Sequence, residues 1–149
     1  MIARQKEAIS GAAARSASFI QVFSRIGLVP DLGSTWLLPR LIGRQRALDL
    51  MLLNEPLSAE RAKEWGLVRE VVDDAKLLDE AKVLAGRLAD GPTRALVATR
   101  QLLEESEHAS YAEQFRREIE LQSIIRESAD AQEGRKAFVE KRKAQFTGR

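Results

Sequence analysis

Only two stretches of this sequence have strand character, 17–22 (ASFIQV) and 67–72 (LVREVV), and this narrows what the chain can fold into more than any other feature. Two short strands have too few partners to make a self-sufficient sheet. The remainder must therefore be helix and loop, and the periodicity agrees. Leu77, Leu78, Ala81, Leu84, Ala85 and Leu88 recur at helical spacing, with Gly91-Pro92 as the stop. Pro92 also suits the first position of a following helix, which the pattern carries to Leu103. Ser110 and Glu113 have capping-box spacing and open a helix whose stripe is Tyr111, Phe115, Ile119, Gln122 and Ile125. Upstream, 44–53 places Ala47, Leu48, Met51 and Leu52 on one face before Pro56. Ser58 is a natural N-cap for a helix over 59–65, and Gly66 stands where a C′ glycine ends one. The polar stretch 104–110, which holds the single histidine His108, reads as a solvated linker. A last helical segment, 130–146, carries Phe138 and a basic cluster. Residues 1–11 show no usable pattern.

One acidic residue stands out against this scaffold. In 27–36, GLVPDLGSTW, Asp31 follows a proline and precedes a glycine by two positions, with apolar residues on both sides. These flanks read as buried or pocket-lining, where an ionised carboxylate is expensive unless something compensates it. The bland account is that Asp31 is the N-cap of a helix through Ser34 to Ile42, which Pro39 would limit to a short turn.

Composition excludes several classes. The 149 residues contain no cysteine, so neither a disulfide framework nor a thiolate ligand or nucleophile is available, and a reducing, cytoplasmic setting is expected. No metal site is expected. There is no membrane-length apolar run and no signal-peptide core, so the expected partners include no membrane. The 24 basic residues are nearly balanced by 22 acidic ones. The basic excess is confined to the end, where Arg135, Lys136, Lys141, Arg142, Lys143 and Arg149 face one acid, Glu140. A cluster this small, without a recognition motif or interleaved aromatics, points away from nucleic acid and fits a phosphate-bearing small molecule or a subunit contact.

Taken together, the stretch ARSASFIQVFSRIGLVPDLGSTWLLPRLIGRQRALDLMLLNEPLSAERAKEWGLVREVV and the terminal EGRKAFVEKRKAQF resemble the second half of the crotonase, or enoyl-CoA hydratase/isomerase, superfamily. The patterns G-L-x-P-[DE]-x-G, L-P-R-L-x-G, A-x-x-x-G-L-V and E-G-x-x-A-F-x-E-K-R-x-x-x-F stand in order over about 14–149. VPDLGSTW with WLLPRL is most similar to the 2-(1,2-epoxy-1,2-dihydrophenyl)acetyl-CoA isomerases. The resemblance implies an α/β crotonase (ClpP/crotonase-like) fold, present in part and here mostly α-helical with two short strands. It divides the chain into an unmatched segment 1–13, the end of the crotonase core with the acid loop at 14–75, and a helical oligomerisation region at 76–149.

For function the resemblance implies acid/base isomerisation of an unsaturated or epoxidised acyl-CoA. Asp31 is the implied catalytic acid/base, Ile26, Leu28, Pro30 and Trp36 line the acyl pocket, and Phe138 and Lys141 lie near the CoA nucleotide. CoA enters as part of the substrate, with no other cofactor. The implied assembly is a homo-oligomer, a trimer or hexamer. Enoyl-CoA hydratase is the near alternative, although hydratases of the family generally use two acids and only Asp31 is matched here. Departure from the family is equally informative. The first half of its members supplies much of the CoA site and both backbone N–H groups of the oxyanion hole, one of them on a glycine-rich helix start upstream of the acid. The sequence before Arg15 does not show that pattern. The expectation is a truncated chain, inactive by itself unless that half is supplied, and a non-catalytic helical assembly fragment is the reading from a different class.

Overall fold

The computed structural model describes residues 11–149, so most of the amino-terminal segment set apart above lies outside the described residues. The chain divides into two compact units, 1–81 and 82–149.

In the first unit, β1 (Ala12–Ala14) runs parallel to β4 (Glu70–Val72), with Ala13 opposite Val71. A second ladder pairs β2 (Ser18–Phe19) antiparallel with β3 (Leu57–Ser58). The two expected strands are thus shortened to their ends, and each gains a partner the sequence did not announce. β1 is an alanine run with no strand propensity, held by register and not by composition. Leu67 and Val68, expected in the strand, instead enter the core as the chain leaves α3 (Ala59–Glu64).

That exit is a Schellman turn: Gly66, at φ 81, donates to Lys63 O at 3.0 Å, and Leu67 donates to Ala62 O at 2.8 Å. At the other end of α3 the Ser58 side chain accepts from the Arg61 N–H, the cap expected of it. α1 (Ser34–Ile42) is longer than the short turn expected, because Pro39 does not stop it. Proline removes one helical N–H, yet Ser34, Leu38 and Ile42 on the inner face are buried, and Gly43 donates to Pro39 O at 3.0 Å to close the helix. α2 (Arg44–Leu53) turns Ala47, Leu50 and Met51 inward, so the buried face is rotated from the expected one and Leu52 is exposed. These residues, with Leu57, Ala59, Ala62, Ala13, Leu67 and Val68, form one core.

α4 (Leu77–Ala89) begins in the first unit and ends in the second. The second unit is built on α5 (Thr93–Ser106), α6 (Tyr111–Ile125) and α7 (Ala129–Val139). α5 absorbs the first part of the expected linker, where Arg100 pairs with Glu104 and Gln101 with Glu105, both one helical turn apart. Glu105 also holds Arg117 of α6 at 3.0 Å. The Ser110–Glu113 capping box is present as expected. α7 stops at Val139, short of the expected 146, because Lys141 takes the left-handed conformation at φ 54. Lys141 and Arg142 then donate to Phe138 O and Ala137 O, a second Schellman turn with lysine in the glycine position.

Candidate active site

The segment carrying Asp31 is shaped by its backbone. A 3₁₀ turn, Ser24–Ile26, is closed by Gly27 at φ 75, whose N–H reaches Ser24 O, and by Leu28, whose N–H reaches Phe23 O at 2.9 Å. After Val29, Pro30 and Asp31, two consecutive left-handed residues, Leu32 at φ 51 and Gly33 at φ 76, turn the chain into α1. Glycine bears that conformation without cost, whereas a leucine there stores about 1–2 kcal/mol. Such strain concentrates where a side chain must be aimed.

Gly33, not Asp31, is the N-cap of α1, and no side-chain cap bond is made. Asp31 meets the helix through its main chain instead: its carbonyl oxygen accepts from Ser34 N at 3.0 Å and Ser34 Oγ at 2.6 Å. The capping account of the carboxylate is therefore corrected. No donor or cation among the described residues reaches the Asp31 carboxylate.

The two flanks differ: Leu38 after the acid is buried and Leu37 half-buried, as expected, whereas the apolar residues before it are exposed, so the expectation of burial is corrected on that side. Ile26, Leu28, Val29 and Leu32 are 66%, 58%, 80% and 72% exposed, while Pro30 and Trp36 are half-buried. Among the described residues the core is built from α1, α2, α3 and the segments beside them, and none of Ile26, Leu28, Val29 and Leu32 belongs to it. Asp31 is itself exposed. Trp36 is partly covered by Arg40, whose guanidinium stacks 3.9 Å from the ring and donates to Trp36 O. The result is an exposed acid in a loop whose apolar neighbours Ile26, Leu28, Val29 and Leu32 are also exposed.

At the other end of the sequence, Phe138 is 86% exposed and Lys141 exposed, with no ion pair for Lys141 among the described residues. The basic cluster is only partly available. Arg142 grips Glu133 with two bonds, 2.6 and 2.9 Å, and also reaches Glu140, while Arg135 donates to Arg126 O. The Arg142 guanidinium, helped by the Gln145 N–H, holds the Glu133 carboxyl down to about 2. Beside this pair Ala129, Asp130, Gln145 and Thr147 line a cavity of about 420 Å³ that contains neither Phe138 nor Lys141. A larger groove, about 540 Å³, runs between α5 and α6. Among the described residues no cluster of His, Asp or Glu has the makings of a metal site, and no helix is long and apolar enough to cross a membrane.

The enoyl-CoA hydratase/isomerase family model matches residues 11–149. The chain belongs to that family. Among curated members, it is 48% identical to the 1,2-epoxyphenylacetyl-CoA isomerase of Escherichia coli strain K12, over 92% of this chain and 52% of that protein. It is 37% identical to the trans-2-decenoyl-[acyl-carrier-protein] isomerase of Streptococcus mutans, over 88% of this chain and 50% of that one. Among solved structures, an enoyl-CoA hydratase from Polaromonas sp. JS666 superposes with a TM-score of 0.91 at 29% identity, over 98% of this chain and 57% of that chain. The architecture is accordingly the crotonase fold in part, mostly helical with few short strands. The chain spans about half the length of the curated relatives it matches.

Within the family match the structure brings Ile26, Leu28, Pro30, Asp31 and Trp36 into one loop and helix start. It also shows residues that sequence reasoning passed over. Asn54 and Ser24 bind the base of this loop to α2. A usable signal existed: asparagine directly after an apolar helical segment is the second choice, after glycine, for a left-handed helix end.

Proposed function

We propose that this chain carries the acid–base part of an acyl-CoA isomerase site, with the Asp31 carboxylate as proton shuttle. The observation that supports this most is a carboxylate that no donor or cation among the described residues reaches, on a strained turn whose apolar residues Ile26, Leu28, Val29 and Leu32 are exposed. On a 3-enoyl thioester, Asp31 takes a proton from C2, the electrons pass to the thioester oxygen, and the proton returns at C4. The double bond moves to C2–C3 and no atom is gained or lost. The developing oxyanion needs N–H donors, each worth about a hundred- to a thousandfold in rate. On this reading they come from backbone outside 11–149, contributed by another segment or another chain. That backbone and the acyl chain would cover Ile26, Leu28, Pro30 and Trp36 and exclude water from the proton transfer.

On the same reading Phe138 and the Lys141 ammonium meet the CoA nucleotide, a phosphate being the natural partner of a cation with no ion pair among the described residues. CoA is part of the substrate and no separate cofactor is called on. Residues 14–75 are the end of the catalytic core, 76–149 the assembly region of a homo-oligomer, and the setting is cytoplasmic. Hydration of an enoyl-CoA is the second chemistry, and it needs a second acid beyond Asp31. The test is conjugation of a 3-enoyl-CoA, followed in the ultraviolet, by the chain refolded with the amino-terminal half of the E. coli isomerase. Turnover that Asp31→Asn lacks is expected; equal traces from the two proteins remove Asp31 from the mechanism.

One observation favours a second, non-catalytic reading: Tyr111, Phe115 and Ile119 are 85%, 51% and 54% exposed along one side of α6. A stripe of this kind suits an assembly module. Light scattering across concentration decides it, since a strict monomer contradicts assembly through this face.

A further inference from the structure

We propose that Asn54 is a positioning residue, which clamps the turn at the base of the Asp31 loop to the end of α2. Its catalytic consequence rests on the reading of Asp31 given above. Asn54 ends α2 at φ 55 and ψ 32, a conformation for which glycine would serve as well. Yet the side chain is nearly buried and both its polar atoms are engaged across the fold. Nδ2 donates to Gln21 O at 2.6 Å and to Met51 O at 2.9 Å, while Oδ1 faces Ser24 Oγ at 2.8 Å. Its main-chain oxygen accepts from Arg25 Nη2 at 3.0 Å. Ser24 Oγ lies equally close to Met51 O, so its single proton is shared between two acceptors and is retained in either case.

These bonds converge on the residues from which the acid loop departs. Ser24 opens the 3₁₀ turn, Gly27 donates to Ser24 O and Leu28 donates to Phe23 O, and Asp31 is three residues further on. At its far end the loop is tied by Ser34 to Asp31 O. Between the two ties Leu28, Val29 and Leu32 are exposed and outside the core, so apolar packing does not fix the path. The position of the carboxylate therefore follows from the two ties. The Asn54 tie also holds its segment against a cost, since the buried Gln21 Oε1 has no donor among the described residues. Release of the clamp would let Gln21 move toward water and the turn open.

Amide hydrogen exchange on the chain, without ligand, reads this directly. Asn54→Gly keeps the left-handed backbone and deletes the clamp. Exchange at Gly27 and Leu28 is expected to accelerate about tenfold, the equivalent of one net hydrogen bond, while the Trp65 amide at the end of α3 is unchanged. Asn54→Asp tolerates the same backbone but sets a carboxylate against Gln21 O and Met51 O, and should loosen the same two amides. Unchanged exchange at Gly27 and Leu28, or acceleration spread evenly through α2 and α3, overturns the clamp. In the refolded isomerase assay Asn54→Gly should lower kcat with KM little changed. An unchanged kcat, where Asp31→Asn is inactive, overturns the positioning role. If instead Asp31→Asn matches the parent while exchange at the turn is accelerated, the clamp stands and the catalytic reading of Asp31 falls.

Discussion

Gly66→Ala separates backbone strain from steric conflict, because the structure leaves room for the new methyl. Gly66 holds φ 81 at the end of α3, and a Cβ placed there meets Leu41 O at 3.8 Å, an ordinary contact. No clash enters the reckoning. The left-handed conformation costs an L-residue about 1–2 kcal/mol. Alanine also narrows the unfolded ensemble, which offsets about 0.4–1 kcal/mol of this. The expected net loss is about 1 kcal/mol. It falls on the Schellman turn that delivers Leu67 and Val68 to the core. Both tryptophans, Trp36 and Trp65, lie in the unit spanning 1–81, so urea unfolding followed by tryptophan fluorescence reports on that unit. The midpoint should fall with the slope unchanged. A midpoint equal to or above the parent's would show that the turn does not require the left-handed state. A loss beyond about 3 kcal/mol would show a clash that the open space denies.

Lys141→Gly reverses the experiment at the equivalent position after α7, and should raise stability by about 0.5–1 kcal/mol in a circular-dichroism melt; destabilisation would refute the strain assigned to φ 54. Leu38→Ala removes a side chain with no exposed surface and should cost about 2–5 kcal/mol, read by the same urea titration, and a cost below about 1 kcal/mol would contradict the core described. For Glu133, the carboxyl is held at about 2 against an ordinary 4.5, so the folded value is the lower one. Its stabilisation is present above about pH 4.5 and is lost as pH falls toward 2. Protection of the Gln145 amide, which donates to Glu133, should fall over that window and should lose its acid dependence in Glu133→Gln. An unchanged acid dependence in the variant would refute the assignment.

What the sequence disclosed was local. The Ser110–Glu113 box, the Ser58 cap, the Gly66 stop and the Gly91-Pro92 break all act within one helical turn, and each stands where the pattern put it. What it concealed depends on distant partners. Ala12–Ala14 is a strand only because Glu70–Val72 lies beside it. Pro39 is tolerated because the inner face of α1 is buried, and the helix through Glu104–Ser106 is held by Arg100 and Arg117. The Asp31 loop shows both sides. Its apolar composition was legible, but exposure is set by what packs over a segment, and among the described residues Ile26, Leu28, Val29 and Leu32 stay exposed. Asn54 was missed for a related reason: two of its three side-chain bonds, those with Gln21 and Ser24, join segments that no local pattern connects.

The central claim is that Asp31 moves the proton, and the most direct measurement is the split between kcat and KM for conjugation of a 3-enoyl-CoA by the refolded pair. A positioned general acid or base contributes about 10²–10⁴-fold. Asp31→Asn keeps the side chain's size and removes its basicity, so kcat should fall by about a hundredfold or more with KM little changed. A kcat equal to the parent's would contradict the account.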